Sequence, residues 1–262
     1  MTKADLSNSI LRSTERGEKA FVPYIMAGDG GLGTLKNNIL FLQEAGVAAI
    51  EVGIPFSDPV ADGEVIQAAG ERALSHGVNL RAVMKELASF QGEVTVPLVI
   101  MTYLNPVLSY GVEAFAQDCG TAGISGLIIP DLPLEESDLV REALNGTDVG
   151  LIQLVSLTSP LERIRTITAA GEGFIYAVTV NGITGVRNEF RDDLGTHLQQ
   201  LKEVSPVPVL AGFGISTPGQ VRSIGALADG VIVGSAIVDA FHRGDLQAIE
   251  ALVQAAKETV YN

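Results

Sequence analysis

One carboxylate sits where a carboxylate is expensive. Glu51 lies in Ala48-Ala49-Ile50-Glu51-Val52-Gly53-Ile54, a charge inside an otherwise apolar run. Burying an unpaired carboxylate is costly. Such a residue is therefore either satisfied by a neighbouring donor or used as a general acid/base whose pKa is raised by desolvation. The next segment, Pro55-Phe56-Ser57-Asp58-Pro59-Val60-Ala61-Asp62-Gly63, carries two more carboxylates. Its prolines and glycine exclude a regular helix and shape a loop. Turn closure is the plain reading of Asp58 and applies less well to Asp62. Asp58, Asp62 and Glu64 also raise the question of a metal. The run holds no His or Asn and offers few oxygen ligands, so no metal site is expected.

A second chemistry is written in glycines. Ala211-Gly212-Phe213-Gly214-Ile215-Ser216 and Val233-Gly234-Ser235-Ala236 each follow an apolar run, and the second leads straight into a helical turn. Glycine lets an anion approach the backbone, and helix N-termini supply N–H groups and a favourable dipole. Each motif alone also fits a tight turn; the pair together reads as a phosphate site. Gly182-Ile183-Thr184-Gly185 could add donors or form a mobile lid.

Other polar residues near the ends of apolar runs are Tyr103, Asn105, Asp131, Ser156 and Tyr176. Asp131, between Pro130 and Leu132, reads as structural. Tyr176 is equally a proton donor or a core phenol. The three histidines, His76, His197 and His242, fall on predicted helices or the segments leading into them. No lysine falls at the end of an apolar run, which disfavours a Schiff base. The one cysteine, Cys119, falls in a predicted helix, so nucleophilic triads and zinc are disfavoured. Carboxylates and phenols remain to do acid–base work on a phosphate ester.

These residues need a scaffold that brings the ends of many strands together. Eight β-like runs recur at Phe21–Met26, Ala48–Gly53, Val96–Tyr103, Gly126–Ile129, Val149–Val155, Gly173–Val178, Val207–Gly212 and Gly230–Val233. Their spacing is about thirty residues, one β-α unit each. They are mostly apolar rather than alternating, as expected of strands buried on both faces of a parallel sheet. Helical periodicity fills the intervals: Thr34–Ala45, Leu80–Phe90, Val112–Thr121, Glu136–Leu144, Leu161–Ala169, Leu194–Val204, Gln220–Leu227 and Leu246–Thr259. Ser159-Pro160-Leu161-Glu162 and Thr217-Pro218-Gly219-Gln220 read as capping boxes. A further helix, roughly Lys3–Arg16, precedes the first strand, with Gly17 placed to end it. The expected fold is a single (β/α)8 TIM barrel with an extra N-terminal helix, one domain over 1–262; a doubly wound open sheet is the alternative. The long intervals Ile54–Leu80 and Thr179–Leu194 follow strands, where barrels build their sites.

Composition sets outer limits. With 262 residues, 47% hydrophobic and 18% charged, the chain is globular in type. A formal net charge of −14 argues against nucleic acid and anionic membranes as partners. It leaves room for a phosphate held by backbone amides. One cysteine fits a reducing cytoplasm. The N-terminal segment reads as neither a signal peptide nor a membrane span.

At these residues the chain resembles the tryptophan synthase alpha-subunit family. The resemblance rests on Phe21-Val22-Pro23-Tyr24-Ile25-Met26-Ala27-Gly28-Asp29, on Ile50 through Gly63, on Gly182-Ile183-Thr184-Gly185, and on the two glycine motifs at Gly212 and Gly234. It is collinear from about residue 20 to 240 and most specific from Glu51 to Gly63. It implies a lyase that splits indole-3-glycerol phosphate into indole and glyceraldehyde 3-phosphate and passes indole to a beta subunit carrying pyridoxal phosphate. An alpha2beta2 assembly in the cytoplasm follows from the same resemblance. It implies that Glu51 is the catalytic acid/base, that Asp62 holds the indole N–H, and that Tyr176 lies beside the scissile region. Gly185, Gly214, Gly234 and Ser235 are implied to contact the phosphate, with Phe213 in that loop and Thr184 in a closing lid. The loop holding Pro55, Asp58 and Pro59 is implied to face the beta partner. One departure is Glu64, where the family usually has proline; there it could loosen the loop or repel Asp62. Two other functions compete: a related phosphate-binding barrel of aromatic amino-acid synthesis, whose Lys/Glu, Cys/Asp or paired-Asp signatures are missing, and a partner-activating subunit with negligible turnover.

Overall fold

The apolar runs become strands because every residue in most of them is withdrawn from water on both faces. A computed structural model describes residues 1–156, 158–178, 188–212 and 214–258, with the backbone alone for 188–193. Its strands are β1 Ala20–Met26, β2 Ile50–Gly53, β3 Leu98–Met101, β4 Ile124–Ile128, β5 Gly150–Leu151, β6 Gln153–Ser156, β7 Ile175–Val178, β8 Val209–Gly212 and β9 Gly230–Val233. All are paired in parallel, in the order β5-β4-β3-β2-β1-β9-β8-β7-β6.

β5 and β6 are two halves of the single fifth run expected from the sequence, separated by Ile152 alone. One half pairs with β4 and the other with β7, so the sheet closes on itself at this residue. The Ile152 N–H still donates to the Leu127 carbonyl at 2.9 Å, which keeps the seam sealed. The result is an eight-unit TIM barrel whose fifth strand is interrupted.

The helices are α1 Lys3–Glu15, α2 Leu35–Ala45, α3 Glu64–Ser75, α4 Leu80–Ser89, α5 Leu104–Tyr110, α6 Val112–Thr121, α7 Asp138–Leu144, α8 Leu161–Ala169, α9 Asn188–Val204, α10 Pro218–Gly225, α11 Ser235–Arg243 and α12 Leu246–Lys257. Three bodies of core result, one of them built by Val155, Ile164, Ile175, Leu198 and Leu201 between the later strands and their helices. Val22, Ala49, Val99, Ile128, Leu210 and Ile232 fill the lumen, while Ile39, Leu42, Leu87, Leu252 and their neighbours lie between strands and helices. The expected N-terminal helix α1 plugs the lumen at the strand N-terminal end. Leu6 and Ile10 are fully buried there, and the Ser7 and Ser9 hydroxyls donate to the Gly173 and Ala48 carbonyls, each at 2.6 Å. Gly17, at φ +76°, takes the chain out of α1 in the left-handed region that glycine tolerates.

Two helices are absent from the sequence reading, and a third, α11, enters it only as the helical turn after Val233. α3 fully buries only Ala69, Gly70 and Ala73, and Ile66 alone among its large apolar residues packs partly against the core, too little to mark a period. α5 is seven residues long with Pro106 in its first turn. α11 begins directly at the end of β9, with no polar loop to announce it. α9 starts at Asn188, six residues before the expected Leu194. The Thr217 capping box forms as expected. The Ser159 box does not: Pro160 is the N-cap of α8 and no side chain closes that end.

Candidate functional site

The site lies at the strand C-terminal mouth, where Glu51 and Tyr24 are register partners on β2 and β1. Glu51 is 1% exposed, and its Oε2 has no hydrogen-bond partner. Burial, with the nearby Asp62 charge second, pushes its carboxyl up to about 8. Glu51 is therefore a neutral acid around pH 7.

Asp62 is brought over the mouth by the loop between β2 and α3. Two tight bonds shape this loop: Val60 N–H to the Asp58 carbonyl and Asp62 N–H to the Pro59 carbonyl, at 2.9 and 3.0 Å. The Gln67 amide then reaches back from α3 to the Asp62 carbonyl at 2.7 Å. Burial raises the Asp62 carboxyl to about 6, and a hydrogen bond from Tyr103 opposes the rise. α3 itself is anchored to the loop after β1 by a bidentate pair, Arg72 to Asp29, at 2.7 and 2.8 Å.

Two phenols complete the floor. Tyr24 and Tyr176 are buried, and their hydroxyls are held well above the ordinary tyrosine range by desolvation and then by the Asp62 and Glu51 carboxyls. Each ring lies on a glycine of a neighbouring strand. A Cβ on Gly53 would collide with the Tyr24 hydroxyl, and one on Gly212 would lie 2.5 Å from the Tyr176 hydroxyl. A Cβ on Gly234 would lie 3.3 Å from Ile66 and 3.7 Å from Tyr24.

Glu51, Asp62, Tyr24, Tyr176, Gly214, Gly234 and Ser235 together line a cavity of about 400 Å³, closed by Ile66, Met101, Ile215 and Ile232. That volume suits a small organic ligand. Its two ends differ. The carboxyls and phenols occupy one; the other is backbone, where Gly214 sits at φ +75° and Gly234 caps the start of α11. The first-turn N–H groups of a helix have no carbonyl ahead of them and attract anions. The Ser216 and Thr217 N–H groups are already taken by the side-chain amide oxygen of Gln220 at 2.9 and 3.1 Å.

Thr184, Gly185 and Phe213 lie outside the described residues. Asp58 and Pro59 do not line this cavity; Asp58 is exposed and accepts from the Ser57 hydroxyl at 3.0 Å. Pro55 lines a separate cleft of about 430 Å³ with Phe56, Arg81, Pro106 and Tyr110, while Val60, which lines the mouth cavity, is 84% exposed. Asp131 accepts the Leu104 N–H at 2.9 Å, the structural part expected of it. Tyr24 is missing from the sequence reading. Its signal is of the same kind as that of Glu51, one polar atom in an apolar run. Among the described residues, no group of three or more His, Cys, Asp or Glu side chains could hold a metal, and no helix is long and apolar enough to cross a membrane.

Known proteins resemble this chain in sequence and in fold. A family model described as tryptophan synthase alpha chain matches residues 11–261. A tryptophan synthase alpha chain of Bacillus mycoides is 50% identical over 250 residues, 95% of this chain and 97% of its own. The crystal structure of tryptophan synthase subunit alpha from Legionella pneumophila superposes with a TM-score of 0.87 at 34% identity, over 99% of this chain and 98% of that one. The Campylobacter jejuni alpha subunit gives 0.83 at 35% identity, over 91% and 96%.

Proposed function

The chain belongs to the tryptophan synthase alpha-chain family, a lyase family whose members work with a beta subunit, and from that premise we propose that its mouth cavity divides the reaction between Glu51 and Asp62. The reaction is the retro-aldol cleavage of indole-3-glycerol phosphate to indole and glyceraldehyde 3-phosphate. The whole chain, 1–262, acts as one catalytic domain.

The observation that carries the division of labour is the pair of unequal carboxyls on one cavity, Glu51 near 8 and Asp62 near 6. At neutral pH the first is protonated and the second ionised, which is the combination the chemistry asks for. Glu51 gives its proton to C3 of the indole ring. Asp62 accepts a hydrogen bond from the ring N–H and stabilises the positive charge that C3 protonation places on that nitrogen. Glu51, now a carboxylate, takes the proton from the hydroxyl on the side-chain carbon attached to the ring. The bond between that carbon and C3 breaks, its electrons return to the ring, and aldehyde and indole are released. Glu51 ends protonated, as it began.

Tyr176 packs beside the bond that breaks. Gly214, Gly234 and Ser235 hold the phosphate with backbone N–H groups and the α11 dipole, and Gly185, Phe213 and Thr184 complete that end and its lid. Pro55, Asp58 and Pro59 face the beta subunit, which carries pyridoxal phosphate and forms an alpha2beta2 complex with this chain in the cytoplasm. The exposed Val60 and the apolar cleft beside Pro55 support that surface.

The test is indole release from indole-3-glycerol phosphate by the purified chain, alone and with a beta subunit. The chain has no tryptophan, so its own emission adds only a tyrosine background. Glu51→Gln lowers turnover by about 10²-fold or more while substrate still binds. Full turnover in that variant would remove Glu51 from the mechanism.

A further inference from the structure

Tyr103 is the N-cap residue of α5, immediately beyond β3, and its side chain reaches across to the loop after β2. Three contacts meet on it. The Ala61 N–H donates to its hydroxyl oxygen at 3.0 Å. That leaves the hydroxyl proton to donate toward the carboxyl of Asp62, the residue after Ala61, whose ionised form it favours. The ring packs against Phe56, centroids 5.4 Å apart and planes tilted by 32°. One side chain thus grips the loop at both ends, at Phe56 before the turn and at Ala61-Asp62 after it.

We propose that Tyr103 is the positioning residue for Asp62: its phenol fixes where that carboxyl points and keeps it in the ionised form that receives the indole N–H. This deepens the reading of the site given above and rests on it. It also gives the partner-facing surface a physical route to the chemistry. Pro55 and Pro59 flank Phe56, and a partner pressing there moves the ring on which the Tyr103 phenol rests.

The geometry has an electrostatic consequence. Asp62 shares its surroundings with Glu51 on β2, Tyr24 on β1, Tyr103 beyond β3 and Tyr176 on β7. Among the described residues, no cation joins them. Burial works against ionisation of Asp62, and the Tyr103 hydrogen bond opposes burial. Removing the hydroxyl must therefore raise the Asp62 midpoint. A purely structural role for Tyr103 would change stability and leave that midpoint alone.

Tyr103→Phe keeps the ring on Phe56 and removes the hydroxyl. Asp62 is followed by carbon-13 NMR of γ-labelled aspartate, with its signal assigned by its loss in Asp62→Asn. The expected result is a midpoint raised by about half a unit or more. A matching upward shift appears in the acid limb of kcat/KM for indole release, with kcat down roughly tenfold and KM little changed. Phe56→Leu, which loosens the ring and keeps the hydroxyl, shifts the midpoint the same way by less. A folded Tyr103→Phe chain with the wild-type Asp62 midpoint overturns the proposal. If the wild-type chain releases no indole, the lyase reading of the site fails, while the Asp62 titration still decides the role of Tyr103.

Discussion

Gly53 on β2 lies directly under the Tyr24 phenol on β1, with no room between them for a single methyl group. Glu51, two residues back along β2, is the register partner of Tyr24. The floor of the cavity is thus built by packing a phenol onto bare backbone, and the acid stands next to it. Gly53→Ala forces the ring to move, which costs about 1–3 kcal/mol. It also tilts the strand end that carries Glu51, so turnover falls with stability. Denaturant unfolding and indole release measure the two effects. Tyr24→Phe in the Gly53→Ala background recovers part of the stability, because it removes the atom that collides first. A Gly53→Ala chain as stable and active as wild type would mean the phenol has freedom the packing denies it.

The two raised carboxyls set a pH window for activity. Asp62 must be ionised, which holds above about 6. Glu51 must be protonated, which holds below about 8. The dependence of kcat/KM on pH is therefore a bell with its top near 7, and the two limbs belong to the coupled pair. Asp62→Asn removes the acid limb from whatever activity remains. A profile flat from pH 5 to 9 would dissolve the assignment of both roles.

The same carboxyls make the fold less stable as pH rises. A carboxyl whose folded pKa lies above its unfolded value binds more protons folded than unfolded, and it loses stability between those two values. For Glu51 the window runs from 4.5 to about 8. For Asp62 it runs from 3.8 to about 6, with the same sign. Glu51→Gln replaces the acid by a neutral group of similar shape and erases the larger slope. The variant is then more stable than wild type at pH 9 by a few kcal/mol, and the gap closes toward pH 5. Thermal melts at the two pH values read this directly. A gap of equal size at both would show that Glu51 is not buried as a neutral acid.

The sequence and the structure agree best where one physical cause dominates. Strands buried on both faces must be apolar throughout, so the eight runs and the barrel were legible, as was Glu51, the lone charge among them. α1 was legible for the same reason: Leu6 and Ile10 recur at helical spacing and plug the lumen. α3 was hidden because its fully buried residues are only alanine and glycine, too small to mark a period. The break at Ile152 was hidden because the chain stays apolar through it; the interruption comes from closing the barrel, a constraint no local pattern carries. Tyr103 was visible as a polar residue at a strand end, but its partners at Phe56, Ala61 and Asp62 come from a different unit of the barrel.

Glu64 stands where the resemblance leads one to expect proline, and its place in the fold suits either residue. Glu64 is exposed and is the first residue of α3, with Gly63 as N-cap. The first helical position suits proline, whose missing N–H would be unpaired there anyway. It also suits an acid, which the helix dipole stabilises. Gly63 lies at φ −76° and ψ 166°, an extended conformation that a following proline accepts. The first turn is closed by Ile66 and Gln67 N–H groups on the Gly63 carbonyl, and neither bond involves the Glu64 N–H. The shift of the Asp62 carboxyl is set by burial and Tyr103, with no contribution from Glu64. Glu64→Pro therefore leaves the Asp62 midpoint and the acid limb of the pH profile in place. By reducing the freedom of the unfolded chain it adds about 0.4–1 kcal/mol of stability, less what the lost dipole interaction removes. Denaturant unfolding together with the pH profile of indole release checks both halves. A variant that is destabilised, or whose acid limb moves, would show that Glu64 acts on the loop through a contact other than its place at the start of α3.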